Sequence, residues 1–258
     1  KTGEYVSFTG NMSGMLIAEY ILREKKANGT LPANGALVET IVTTDMAKAI
    51  AKAYGVKLIE VLTGFKYIGE QIKFFEQQNS YEYVFGLEES YGCLAGTYAR
   101  DKDACVAVMM LCEVAAWCKS NGITLWDAMV SLYETYGYYK EGLETMTLKG
   151  MDGAEKIQSM MNEMRNNPPK KIGAWDVLAL RDYKKDTRTD MTSGEVTPTG
   201  LPESNVLYYE LSNNAWCCVR PSGTEPKIKT YFTTLGKDLA EAEAEKEKLA
   251  EALKPILA

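Results

Sequence analysis

The sequence predicts an α/β protein: a domain built on a parallel mixed α/β sheet, followed by a smaller α+β C-terminal domain with an antiparallel sheet. Three observations carry this expectation. Across residues 36–119, short β-branched or aliphatic runs alternate with runs of helical period in the order β-α-β-α-β-α, which argues for parallel strands with helices on both faces. Asn166-Asn167-Pro168-Pro169 is the clearest linker signal in the chain. Beyond it, residues 206–211 and 215–219 flank the turn Ser212-Asn213-Asn214 as hairpin strands, a third strand follows at 227–233, and one charged helix covers 239–257.

Taken in order, residues 1–7 read as a strand, and Thr9 or Asn11 caps a helix running to about Lys25. One strand and one helix cannot bury their own apolar faces, so residues 1–30 are expected to be the tail of a domain that begins upstream. Residues 36–42 form a strand; Thr44 or Asp45 caps a helix that Gly55 closes. Residues 57–62 are the next strand, then a turn and a helix over 67–77, then a strand at 83–85. Residues 86–101 are a loop. Asp103 caps a helix to about Lys119 that is apolar nearly all round and so expected to be central. Thr124 and Asp127 have the spacing of a capping box opening another helix, which Gly137 ends. Residues 138–148 are extended, and Asp152 starts a helix whose methionines, Met160, Met161 and Met164, read as core. The expected domains are therefore 31–137 and 170–258, joined by a connector over 138–169. Residues 184–203 are polar and read as loop; on the last helix Glu243–Lys246 and Glu245–Lys248 are spaced as i,i+3 pairs.

Composition narrows the function. A chain of 258 residues has room for two cores, and 46% hydrophobic with 25% charged is ordinary for a globular protein. A formal net charge of −6 with no basic stripe disfavours a nucleic-acid partner. No apolar run reaches the length of a membrane span. The six cysteines, Cys93, Cys105, Cys112, Cys118, Cys217 and Cys218, lack metal-ligand spacing and read as buried thiols in a reducing, cytoplasmic compartment. Histidine is absent, so any proton transfers must use lysine, carboxylates or a group outside this chain.

Two stretches carry chemistry. In Arg220-Pro221-Ser222-Gly223-Thr224-Glu225-Pro226-Lys227-Ile228-Lys229, Arg220 offers a planar fork for two phosphate oxygens. Ser222 and Thr224 add hydroxyls, Gly223 lets backbone N–H groups turn inward on an anion, and Lys229 returns to the loop from the following strand. Read alone, the run serves equally as a tight turn with solvated charges. The other stretch is Gly86-Leu87-Glu88-Glu89-Ser90-Tyr91-Gly92, at a strand end where parallel sheets place ligands. Carboxylates there can accept hydrogen bonds from vicinal hydroxyls of a sugar, although exposed loop glutamates are the simpler reading of the pair by itself.

Together these stretches resemble parts of the α-D-phosphohexomutases, the family of phosphoglucomutases and phosphomannomutases. Arg220 to Lys229 is similar to the phosphate-binding loop of the family's last domain, and Glu88-Glu89-Ser90 to the sugar-binding loop of its third domain. Where many members have Gly and then His after the serine, this chain has Tyr91-Gly92. Gly64-Phe65-Lys66 resembles the specificity loop, whose plain alternative is an ordinary turn. Arg100-Asp101-Lys102-Asp103 resembles the basic segment after the sugar loop, which makes Lys102 a candidate proton donor or acceptor; otherwise it is a surface lysine at a helix start. The resemblance implies sugar binding by Glu88, Ser90, Gly64 and Lys66, and phosphate binding by Arg220, Ser222, Gly223, Thr224 and Lys229. It implies a parent enzyme that moves phosphate between the 1- and 6-positions of a hexose phosphate. The route is a phosphoserine and a glucose 1,6-bisphosphate-type intermediate, with Mg²⁺ held by ligands that this chain lacks. The N-terminal domains are the implied partner, a phosphosugar the implied ligand, and the chain alone is expected to be inactive. A phosphopentomutase or phosphomannomutase of the same family, or a non-catalytic phosphosugar-binding module, are the alternatives.

Overall fold

The computed structural model describes residues 3, 5–148, 152–222 and 225–256. The chain divides into two compact units, Lys1–Gly137 and Tyr138–Ala258.

The first unit begins with α1 (Gly10–Ala27), capped by the Thr9 hydroxyl, which accepts from the Met12 N–H at 3.2 Å. Then come β1 (Gly35–Thr40), α2 (Met46–Tyr54), β2 (Lys57–Val61), α3 (Phe65–Gln78) and β3 (Glu82–Leu87). β4 (Cys93–Ala95), α4 (Ala104–Ser120) and α5 (Leu125–Tyr136) complete it. The sheet order is β2-β1-β3-β4, with β1 parallel to both β2 and β3 and β4 antiparallel to β3. α3 packs on one face through Phe65, Ile68, Ile72 and Phe75 against Ala36, Val38, Val61 and Tyr83. α1 lies on the other face, where Gly14 leaves room for Leu87. The expected caps form: α2 closes at Gly55 in left-handed conformation, Asp103 accepts from the Cys105 N–H at 2.8 Å, and Thr124 and Asp127 make the reciprocal capping box.

The second unit contains β5 (Tyr138–Thr147), α6 (Gly153–Asn166), β6 (Lys171–Ile172), β7 (Trp175–Asp182), β8 (Thr187–Asp190), β9 (Val196–Thr197), β10 (Leu207–Leu211), β11 (Trp216–Pro221), β12 (Lys227–Gly236) and α7 (Leu239–Leu253). The sheet runs β5-β12-β11-β10-β7-β8-β9, antiparallel throughout, with β6 also on β7. α6 and α7 bury Ile157, Met161, Met164, Leu249 and Leu253 against Val177, Tyr209, Val219 and Phe232. Arg165 of α6 is buried with Asp182, its Nε donating to both carboxylate oxygens at 3.0 Å, and its Nη2 donates to Asn205 Oδ1 at 2.7 Å. The expected Glu243–Lys246 and Glu245–Lys248 pairs are both present on α7.

Five expectations are corrected. Residues 5–9 form no strand, and α1 packs with α2, α4 and α5 within the first unit. Cys93–Ala95 is a strand, which makes the first sheet mixed. The connector over 138–169 is part of the second unit: β5 pairs with β12 along its whole length, and α6 covers the core. The polar stretch 184–203 holds β8 and β9, short strands at a sheet edge where polar side chains face solvent. Finally, α4 is not central. Only Val114 and Cys118 are buried along it, and Cys105 and Cys112 are exposed thiols rather than buried ones. Among the described residues no single helix is long and apolar enough to cross a membrane.

Candidate functional site

The carboxyl ends of β1, β2 and β3 open on one edge of the first sheet, and the loop after β3 is fixed there from several sides. The Glu88 N–H donates to the Gly92 carbonyl at 2.8 Å, closing the loop on itself. Glu88 is 6% exposed, and its Oε1 lies 3.1 Å from Nζ of Lys102, whose side chain is 51% exposed. Gly92 allows this pair: a Cβ there would stand 2.3 Å from Glu88 Oε1 and 2.7 Å from Lys102 Cδ. Glu89 Oε2 accepts from the Thr40 hydroxyl at 3.4 Å, and Thr40 and Thr43 hydroxyls are 2.9 Å apart. Ser90 is exposed at the loop tip.

The backbone of the loop rests on the first turn of α1. A Cβ on Gly10 would lie 2.1 Å from the Glu89 carbonyl oxygen and 2.6 Å from the Tyr91 nitrogen, so no other residue fits. Tyr91 has φ +72°, a left-handed conformation that costs a side-chain-bearing residue about 1–2 kcal/mol. Its hydroxyl donates to the Phe8 carbonyl at 3.1 Å. The departure from the Gly-then-His pattern marked this position in the sequence; the clamp to Phe8 had no sequence signal, because the two residues are far apart in the chain.

Of the specificity-loop residues, Gly64 takes φ +123° at the start of α3, and Phe65 places its ring centroid 5.8 Å from Lys102 Nζ. Lys66 is exposed, with Nζ 4.7 Å from the ring of its neighbour Tyr67. The structure thus brings Glu88 and Lys102 into contact, with Phe65 beside them, and leaves Lys66 and Ser90 to solvent.

The charge around this edge is uneven. On β1, burial pushes the Glu39 carboxyl well above its ordinary value, and Glu60 and Asp45 push it the same way. Asp103 is held below its usual range, first by the Tyr98 hydroxyl at 2.7 Å and then by the Cys105 amide. Burial raises the Cys93 thiol to about 11, so it is no nucleophile at neutral pH.

In the second unit, Arg220 and Lys229 are directly opposite across the β11–β12 pair. Their strand neighbours Val219 and Ile228 point into the core, so both cations lie on the other face of the sheet. The Ser222 N–H donates to the Lys227 carbonyl at 2.8 Å, closing the hairpin, and Lys227 Nζ pairs with Glu225 at 2.9 Å. Among the described residues neither Arg220 nor Lys229 makes an ion pair. Gly223 and Thr224, the other expected phosphate ligands, lie outside the described residues. Among the described residues no three histidine, cysteine or acidic side chains gather as metal ligands would. None of the described residues is therefore assigned as a ligand of the implied Mg²⁺.

The molecule thus comprises an α/β unit with a buried carboxylate–lysine pair at its strand ends and an antiparallel unit with a cationic hairpin. Residues 9–136 match the family description "Phosphoglucomutase/phosphomannomutase, alpha/beta/alpha domain III", and residues 167–252 match that family's C-terminal domain. The chain belongs to the phosphoglucomutase/phosphomannomutase family. The domain III match includes α1, in keeping with its place in the first unit. A phosphoglucomutase of Staphylococcus epidermidis is 36% identical over 90% of this chain, and one from Staphylococcus aureus is 34% identical over the same share. The chain spans 41% of the length of either relative. Among solved structures, parafusin from Paramecium, a phosphoglucomutase, shares the fold with a TM-score of 0.60 at 18% identity, over 96% of this chain and 42% of that one. A phosphoglucomutase/phosphomannomutase family protein of Burkholderia thailandensis does so at 0.55 and 13%, over the same shares.

Proposed function

We propose that this chain is the sugar- and phosphate-binding portion of a phosphoglucomutase-like enzyme, which moves phosphate between the 1- and 6-positions of a hexose phosphate through a phosphoserine and a bisphosphate intermediate. The observation that carries this reading is the cationic hairpin: Arg220 and Lys229 face each other with no ion-pair partner among the described residues, while the neighbouring Lys227 is already paired. Two cations set opposite each other by strand register, neither in an ion pair among the described residues, suit a dianionic phosphate. In this reading they hold the phosphate that is not reacting, together with Ser222, Gly223 and Thr224.

At the first unit's edge, Glu88 accepts hydrogen bonds from sugar hydroxyls, and Ser90 adds a hydroxyl that can donate or accept. Lys102, drawn in by Glu88, donates or accepts a proton at the oxygen that exchanges phosphate. Gly64 and Lys66 border the ring from the start of α3. The seryl nucleophile and Mg²⁺, which neutralises charge on the transferring phosphoryl group, belong to the rest of the parent chain. This chain alone binds and does not turn over.

The test is a calorimetric titration of this chain with glucose 6-phosphate, repeated with Arg220→Ala. Saturable binding in the millimolar range, about −4 kcal/mol, that disappears in the variant supports the reading. Equal binding by both proteins refutes the role given to the hairpin.

A further inference from the structure

The segment that carries Lys102 is fastened to α3 at three successive points. Phe65, Gly69 and Glu76 fall at i, i+4 and i+11, so they lie along one face of the helix. Phe65 sets its ring beside Lys102 Nζ. A Cβ on Gly69 would stand 2.0 Å from the Arg100 carbonyl oxygen, so the segment approaches the helix as closely as glycine allows. Glu76 receives the Arg100 guanidinium, whose Nη2 donates to its two carboxylate oxygens at 2.8 and 3.0 Å. Nη1 of the same guanidinium turns back on its own loop, donating to the carbonyls of Thr97 and Ala99, the latter at 3.1 Å. The far end of the segment is held separately: the Asp103 N–H donates to the Cys93 carbonyl of β4 at 2.9 Å. Lys102 is thus strung between α3 and β4, with its ammonium on Glu88.

We propose that Arg100 is a positioning residue for Lys102. By locking residues 97–100 onto α3, it fixes the backbone from which the lysine reaches Glu88. Stability does not account for the arrangement. The side chains of Arg100 and Glu76 are 47% and 54% exposed, and an exposed pair of this kind contributes little to folding. A planar guanidinium forked between a carboxylate and two carbonyls holds geometry instead. The inference rests on the reading of Lys102 as the group that donates or accepts the proton. It adds what sets that group in place. It also makes α3 a common frame for two parts of the site: Gly64 and Lys66 stand at its start, and its later turns hold the segment of Lys102.

The experiment uses the full-length protein in two assays. One is turnover of glucose 1-phosphate; the other, without substrate, is trace acylation of lysines by acetic anhydride, read by peptide mass spectrometry. In Arg100→Gln, kcat should fall about 10- to 100-fold while KM stays within about 2-fold, because a misplaced catalytic group is felt in the turnover step. Glu76 lies about 16 Å further along α3 than Phe65, so Glu76→Gln acts from outside the site. It should give the same loss, and the double variant no more than either alone. In each variant Lys102 should acylate several-fold faster, once its ammonium leaves Glu88, and the exposed Lys66 at an unchanged rate, with circular dichroism confirming the fold. A rise in KM with kcat unchanged would make Arg100 a direct ligand of substrate and overturn the proposal. So would additive losses in the double variant, and so would unchanged labelling of Lys102. Labelling needs no substrate: an unsubstituted protein without mutase turnover, in which Arg100→Gln still frees Lys102, would overturn the proposed activity and leave the positioning standing.

Discussion

Replacing Gly92 by alanine isolates the contribution of the Glu88–Lys102 pair. The φ of Gly92 lies outside the left-handed region, so alanine is conformationally allowed and only space is at issue. The new methyl would sit 2.3 Å from Glu88 Oε1, against an ordinary contact of 3.4 Å or more, so the carboxylate must retreat by about 1 Å. Glu88 is buried and its backbone is tied into the loop, so the retreat is resisted, and the 3.1 Å pair with Lys102 is disrupted. Overpacking of this kind costs about 1–3 kcal/mol. The lost ion pair adds under about 1 kcal/mol, because Lys102 is half exposed and screened. Urea denaturation of the Gly92→Ala chain should show this loss. If Glu88 accepts from the sugar in the full-length enzyme as proposed, its displacement forfeits a charge-assisted hydrogen bond worth about 1.5–3 kcal/mol, so kcat/KM for glucose 1-phosphate should fall by about 10- to 150-fold. A destabilised variant with unchanged kcat/KM would show that substrate does not use the position of Glu88. A variant unchanged in both measurements would refute the packing argument itself.

Arg165→Met should destabilise the second unit by about 3–5 kcal/mol, since it strands the buried Asp182 carboxylate, and Arg165→Met with Asp182→Asn should recover most of it; a single-variant loss below about 1 kcal/mol in urea denaturation would contradict this. Glu39 has a folded-state pKa above its ordinary 4.5, so the native state holds its proton more tightly, and stability present below that value is lost as pH rises through the folded pKa. Glu39→Gln should therefore be more stable than the parent at neutral pH and flatten that decline, as read by urea midpoints between about pH 4 and 8. Lys229→Ala should weaken glucose 6-phosphate binding by calorimetry far more than Lys227→Ala, because Lys227 is already paired with Glu225; equal losses would mean that only net charge matters.

Much of the fold was legible because its signals are local. The Thr124–Asp127 box, the Asp103 cap and Gly55 each satisfy or end a helix by contacts within a few residues. What escaped depends on distant partners. Cys93–Ala95 is a strand only because β3 lies beside it, and Tyr138–Thr147 only because β12 offers a full edge. The polar composition of Thr187–Asp190 hides a strand whose side chains face water. The apolar period of α4 announces a helix; it cannot say that Cys105, Val108, Met109, Cys112 and Ala116 stand exposed along it. At the candidate site, Glu88 and Lys102 were singled out by the resemblance of their segments, not by residue type, and no sequence signal set their side chains 3.1 Å apart. The seating of Glu89 and Tyr91 on Gly10 was not legible, since a missing side chain leaves no pattern.

The register of β11 and β12 has an energetic consequence of its own. Like charges directly across a strand pair repel, so an empty hairpin with Arg220 opposite Lys229 works against its own closure. On the proposed function, an anion bound between them would remove that repulsion and bridge the strands, acting as a removable crosslink at the end of the sheet. By mass action a ligand at 100 times its Kd adds about 2.7 kcal/mol to stability. If the hairpin takes phosphate as proposed, the phosphate content of the surrounding solution sets how firmly this end of the second unit is held.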